Sequence, residues 1–131
     1  MKKIGILNQP VSSVIAGLGH TDTLVIADAG LPIPPETQRI DLALTPGIPT
    51  FLDTLRVVLT EMQVERAIVA QEMLDVSPGI YEAVKELLGD VPIETLTHLI
   101  FKEQTRSARA VIRTGEITPY ANVILVSGVT F

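Results

Sequence analysis

The sequence predicts a single α/β domain, a mostly parallel central sheet flanked by helices. Three observations predict it. The runs LVIA at 24–27, AIVA at 67–70, AVIR at 110–113 and NVILVSG at 122–128 are aliphatic, β-rich and short, and read as strands buried on both faces. Segments of helical periodicity lie between several of these runs, joined to them by short Gly- and Pro-containing connections, and such alternation builds parallel β-α-β units. At 131 residues the chain can form one core but not separate cofactor and substrate domains, so residues 1–131 are expected to be one domain.

Each element follows in order. Residues 3–7 are a short apolar lead-in, Asn8 suits an N-cap with Pro10 in the first turn, and Val11, Val14, Ile15 and Leu18 fall on one helical face. Gly19 is expected to close that helix in the left-handed conformation, with His20 just outside it. The strand at 24–27 then runs into Asp28, at the carboxyl end where open α/β sheets bind ligands. GLPIP continues as an extended turn, because proline removes a backbone donor and pushes the residue before it out of the helical region. Ile40, Leu42 and Leu44 alternate with polar or small residues as in a second short strand, and TPGIP at 45–49 is a turn. Thr50 with Asp53 resembles a capping box, opening a helix to about Gln63 with Leu52, Leu55, Val58, Leu59 and Met62 inward. Gln71 and Glu72 follow the 67–70 strand at its carboxyl end. Ser77 and Pro78 open a further helix with Ile80, Val84 and Leu87 inward, closed by Gly89. Residues 93–97 form a strand candidate, and His98 begins a short helical stretch to about Arg106. The last two strands, joined by TGEITPYA, are expected to form an antiparallel pair.

Composition narrows the function. Ten Lys and Arg against fifteen Asp and Glu give a net charge of -5 with no cationic run, which argues against nucleic acid as a partner. The absence of cysteine excludes disulfides, thiolate metal sites and cysteine nucleophiles. The segment MKKIGILNQPVSS breaks its apolar run at Asn8 and Pro10, unlike a signal peptide, and no window of about 18 apolar residues exists for a membrane span. A cytoplasmic protein without membrane contact is expected. The chain is 47% hydrophobic but only 19% charged, too little charge to cover a small monomer, so some apolar surface is expected to be buried between subunits. The apolar end VILVSGVTF is expected to be tied down for the same reason.

Chemistry can reside in few places. His20 and His98 are the only histidines, and both are expected at element ends where strand carboxyl edges gather, although a lone histidine there most often caps or packs. A zinc site would need a third ligand such as Asp28 and lacks the usual His-x-x-x-His or Glu-x-x-His spacing, so no metal is expected. Neither a Gly-rich dinucleotide fingerprint nor a P-loop is present, and no Gly-x-Ser-x-Gly elbow marks a serine hydrolase. RTGEITPYAN at 113–122 places polar and turn-forming residues between two strands. In an extended segment Tyr120 and Asn122 would project to the same face. Two readings stand equal there: a phenol and an amide set out for a polyhydroxylated neutral ligand, whose hydroxyls both donate and accept, or a structured hairpin turn with the tyrosine packed on the sheet.

GILNQPVSSVIAGLGHTDTLVIADAGLPIP and AVIRTGEITPYANVILVSGVTF closely resemble the D-ribose pyranase family, whose nearest relatives are the L-fucose mutarotases. The resemblance covers nearly the whole chain and is weakest at 72–97. It implies a small α/β domain assembled into a ring-like homodecamer of two pentameric rings, with each sugar site between neighbouring subunits. It implies an isomerase that interconverts the β-pyranose and β-furanose forms of D-ribose without a cofactor, in support of ribose catabolism. By the family's pattern His20 is the catalytic proton donor, and Asp28, His98, Tyr120 and Asn122 bind the sugar, with Lys102 one helical turn beyond His98 also facing it. Leu99 and Ile100 stand where the pattern implies more polar residues. The chemistry suits a histidine, whose ordinary pKa near 6.5 keeps both protonation states available. The alternatives are an L-fucose-type mutarotase and a non-catalytic sugar-binding accessory of ribose uptake.

Overall fold

The computed structural model describes Met1–Phe131 and contains six strands, β1 (Thr23–Ala27), β2 (Arg39–Asp41), β3 (Val64–Ala70), β4 (Ile93–Leu96), β5 (Ala110–Arg113) and β6 (Val123–Ser127). Five helices accompany them: α1 (Gln9–Gly17), α2 (Phe51–Leu59), α3 (Gln71–Val76), α4 (Pro78–Leu88) and α5 (His98–Gln104), the last continuing into a 3-10 turn at Thr105–Ser107. The sheet runs β2-β5-β1-β6-β3-β4, and every strand but β6 points the same way. No helix is long and apolar enough to cross a membrane.

β6 corrects the expected antiparallel pair at the end of the chain. It is antiparallel, but it lies between β1 and β3, with β1 separating it from β5. The connection from Thr114 to Asn122 is too long for a tight hairpin and is held over the end of β1. There the Thr114 N–H and hydroxyl both donate to the Ala27 carbonyl, at 2.9 and 2.7 Å, and the Ala29 N–H donates to the Glu116 carbonyl at 2.8 Å. The chain therefore steps across β1 before it turns back.

Strand alternation sends side chains into two cores. Leu24, Ile26, Ala67, Val69, Val123 and Leu125 pack with Val11 of α1, Phe51, Leu55 and Val58 of α2, and Val84 and Leu88 of α4. Val25, Ala27, Ile68, Val111, Ile124 and Val126 face Phe101 of α5 and Leu31 of the proline loop. The central strands are buried on both faces, as their unbroken apolar sequences require.

Local signals set most boundaries. The Asn8 side chain accepts from the Val11 N–H and Thr50 from the Asp53 N–H, so both predicted N-caps form. Gly19 departs from expectation: α1 ends at Gly17 with an extended C-cap at Leu18, and the left-handed residue of the following loop is Thr21, φ 69°. α2 stops at Leu59, short of Gln63, and the second strand is only Arg39–Asp41. α3 was not foreseen, because a six-residue helix offers too few positions for periodicity to show. Gly115 is required by close approach, since a methyl there would strike the Thr45 and Ile48 carbonyls of the 45–49 turn.

Candidate active site

The carboxyl edge of the parallel strands is organised around Asp28. Its backbone N–H donates to Asn122 Oδ1 at 2.8 Å, Asn122 Nδ2 donates to Asp28 Oδ2 at 2.9 Å, and the Gly30 N–H donates to Asp28 Oδ1 at 2.9 Å. Asn122 directly precedes the antiparallel β6, whose start is level with the ends of its parallel neighbours, and this brings together two residues 94 positions apart. The amide is fully buried and satisfied by the aspartate, so it fixes the carboxylate from behind. Lone pairs of the carboxylate not used by these bonds remain for a ligand.

His98 and Tyr120 complete this edge. His98 is the first residue of α5, where its N–H donates to Glu72 Oε2 at 2.9 Å. The imidazole meets the Tyr120 ring edge-on, with centroids 5.0 Å apart, and lies nearly parallel to Phe101 at 6.2 Å. Burial, and then the Lys102 charge, hold His98 below its ordinary pKa of 6.5 against the opposing pull of Glu72 and Asp28. The ring is neutral at pH 7. Nδ1 is buried without a partner, and placing the ring's proton on Nε2 leaves a lone pair there, avoiding the rarer orphaned N–H. Nε2–H is then the group His98 offers to a ligand.

Tyr120 has φ 62°, an uncommon conformation for a bulky residue, and is held there by its neighbours. The Asn122 N–H donates to its carbonyl at 2.8 Å and the buried Ser77 hydroxyl donates to the Pro119 carbonyl at 2.6 Å. The segment is thus a turn, not the extended strand whose alternation would place Tyr120 and Asn122 side by side. Tyr120 lines the same depression as Asp28, while Asn122 is buried beneath it and bonded to the Asp28 carboxylate. Glu116 anchors the same connection. Burial acts to raise its carboxyl, but bonds from the Thr118 side chain and from the Phe51, Thr118 and Ile117 N–H groups outweigh it and hold it below the usual range.

Asp28, Gly30, Leu31, Pro32, His98, Pro119 and Tyr120 line a depression of about 270 Å³. That is near the lower end of small-molecule sites, about 300–1,000 Å³, and suits a ligand the size of a monosaccharide. Lys102 lines an adjoining depression with Leu99, Glu103 and Arg106, and Pro32 borders both. A separate apolar groove of about 290 Å³ lies between the N-terminal segment and α2. Its one carboxylate, Asp53, is paired with Arg56, so acid–base chemistry has no free group there.

His20 corrects the expectation that both histidines lie at strand carboxyl ends. It precedes β1 and so sits at the opposite edge of the sheet from Asp28. The five residues of β1, at about 3.3 Å each, span roughly 16 Å between the two edges. The His20 loop is well fixed: the Gly19 N–H donates to Asp22 Oδ2 at 2.8 Å, Arg109 pairs with the same carboxylate at 3.1 Å, and the Thr21 N–H donates to the Ser127 carbonyl at 2.9 Å. The ring itself is about half exposed, and its Nε2 lies 2.8 Å from Glu65 Oε2. Glu65, like Ser77, was not foreseen as a site residue, because each acts on a partner more than 40 positions away with no local pattern to announce it. Glu72 was noted at its strand end, yet its role as the acceptor for the His98 N–H appears only in the fold.

A family model described as the RbsD / FucU transport protein family matches residues 1–130. A D-ribose pyranase of Laribacter hongkongensis is 62% identical over 131 residues, covering all of both chains. The structure of Bacillus subtilis RbsD complexed with D-ribose superposes with a TM-score of 0.98 at 50% identity, again over the whole of both chains. The structure of the fucose mutarotase from Streptococcus pneumoniae in complex with L-fucose covers all of both chains with a TM-score of 0.84 at 24% identity, a likeness of fold alone.

Proposed function

The chain belongs to the RbsD / FucU transport protein family, and from that premise we propose that it is a D-ribose pyranase, a cofactor-independent isomerase interconverting the pyranose and furanose forms of D-ribose in the cytoplasm. The observation that carries the reading is the depression lined by Asp28, His98 and Tyr120, in a chain 62% identical over its whole length to a D-ribose pyranase. An acceptor carboxylate, an imidazole N–H and a phenol suit sugar hydroxyls, each of which both donates and accepts. Asn122 serves the sugar by holding Asp28, and Lys102 lies in the adjoining depression beyond Pro32.

Opening the pyranose removes the anomeric hydroxyl proton, breaks the bond from C1 to the ring oxygen and protonates that oxygen. Closing through the 4-hydroxyl runs the same steps in reverse. No net proton is consumed. His20 is the group that moves the proton, and such positioned acid–base help contributes about 10²- to 10⁴-fold. Because His20 and Asp28 lie at opposite edges of one sheet, one chain cannot apply both to one sugar. The His20 edge of a neighbouring subunit faces the Asp28 depression, in a ring-like homodecamer of two pentameric rings.

Exchange NMR on equilibrated D-ribose tests this. Magnetisation transfer between pyranose and furanose signals should collapse in His20→Ala and in Asp28→Asn. Mixed one to one, the two inactive variants should recover about a quarter of the wild-type rate, the statistical share of interfaces with both residues intact in a closed ring. Full activity in His20→Ala would refute the catalytic role, and no recovery on mixing would refute the shared site. Exchange confined to L-fucose anomers would make the chain the fucose-type mutarotase. Sugar binding without exchange would leave an accessory of uptake.

A further inference from the structure

We infer that Glu65 is a positioning residue that selects the reactive nitrogen of His20, holding Nε2–H so that Nδ1 is presented to the sugar. The inference rests on the catalytic reading of His20 and adds to it which atom acts and what aims it. The contact is Glu65 Oε2 to His20 Nε2 at 2.8 Å, between residues half exposed on different elements. An ionised carboxylate only accepts hydrogen bonds, so Nε2 is the donor and the neutral ring carries its lone pair on Nδ1. Nδ1 makes no hydrogen bond within the chain.

The backbone supports a specific placement of Glu65. β3 pairs with β6 through Val64 opposite Ser127 and Arg66 opposite Val126, so two steps on β3 match one on β6 and Glu65 is the extra residue of a β-bulge. A bulge breaks alternation and re-aims a side chain, and such features are frequent beside active sites. The Gly128 N–H donates to the Gln63 carbonyl at 2.9 Å beside it, and a side chain at Gly128 would crowd Glu65 Cβ. The other carboxylate of the His20 loop, Asp22, is taken up by the Gly19 N–H and Arg109, leaving Glu65 as the group that orients the ring.

The proton path then has defined ends. Nδ1 takes the anomeric hydroxyl proton as the O–H electrons form the C1 carbonyl and the ring C–O bond breaks. Nδ1–H returns the proton to the released ring oxygen. Ring closure takes the 4-hydroxyl proton onto Nδ1 and gives it back to the carbonyl oxygen. Throughout, Nε2–H stays on Glu65, which holds the ring's tautomer and orientation, as a carboxylate does for a catalytic histidine.

The test uses the assembled full-length protein with Glu65→Gln and Glu65→Ala. A long-range ¹H–¹⁵N spectrum of the sugar-free protein should show the His20 proton on Nε2 in the wild type, with that preference lost in both variants. Exchange NMR should show kcat down by as much as the roughly 10²- to 10⁴-fold that positioned acid–base help contributes, with KM little changed. The proton found on Nδ1 in the wild type, kcat unchanged in both variants, or a loss confined to KM would each overturn the inference. The tautomer is read without turnover, so it judges Glu65 separately from His20. A fully active His20→Ala would instead defeat the catalytic reading beneath it.

Discussion

At His98 the imidazole is held neutral, and that has a consequence for stability. Burial and the Lys102 charge place its pKa below the ordinary 6.5, so between the two values the unfolded chain binds a proton that the folded chain does not. Stability therefore rises with pH through that window and is lost as pH falls through it. Calorimetry should show Tm falling on acidification from pH 7 toward about 5, and falling less in His98→Gln, which has no proton to bind there. The Glu116 carboxyl, held below its usual range, acts lower on the scale: its contribution is present above about 4.5 and is lost as pH falls further. Asn122 has a different role. Asn122→Ala strands the Asp28 N–H and loosens its carboxylate. Denaturant unfolding should register a loss of about 1–3 kcal/mol for the unpaired buried group, accompanied by weaker ribose binding in titration.

At the scale of elements, β6 is what the fold turns on. Val123 and Leu125 serve one core while Ile124 and Val126 serve the other, and the strand also delivers Asn122 to one sheet edge and fixes the His20 loop at the opposite edge through Ser127. Leu125→Ala should cost about 2–5 kcal/mol by denaturant unfolding, as a fully buried truncation does. Thr50→Ala, removing one cap from α2, should cost about 1 kcal/mol. The N-caps at Asn8 and Thr50 were legible in sequence because capping is a local exchange of hydrogen bonds. The place of β6 was not, because apolar runs state burial but not neighbours, and the length of the connection at 114–122 was the only hint that it crossed a strand.

At the scale of the molecule, Leu44, Ile48, Leu99, Ile100, Ile117 and Phe131 are exposed on the single chain. The low charge content anticipated such surface, and in the proposed assembly it is covered by neighbouring subunits. The apolar C-terminal run is tied down over Val123–Ser127, buried in β6, whereas Val129 and Phe131 beyond it are exposed on the single chain. Leu99→Glu and Ile117→Glu should lower the sedimentation coefficient and the ribose exchange rate together while leaving the far-UV circular dichroism unchanged. Loss of activity with the assembly intact would count against the shared site.

The sequence by itself determined the α/β class, the doubly buried strands and the place of Asp28 at a strand's carboxyl end. These follow from periodicity, β-propensity and proline, which act within a few residues. Residue chemistry singled out His20, His98, Tyr120 and Asn122 and the resemblance implied their roles, but their spatial relation belongs to the tertiary structure. Only the fold decided that Asn122 stands behind Asp28, that Tyr120 turns through a positive φ, and that His20 faces away from the depression with Glu65 at its ring. Each of these depends on which strands lie side by side, a matter of long-range packing that no local pattern of residues encodes.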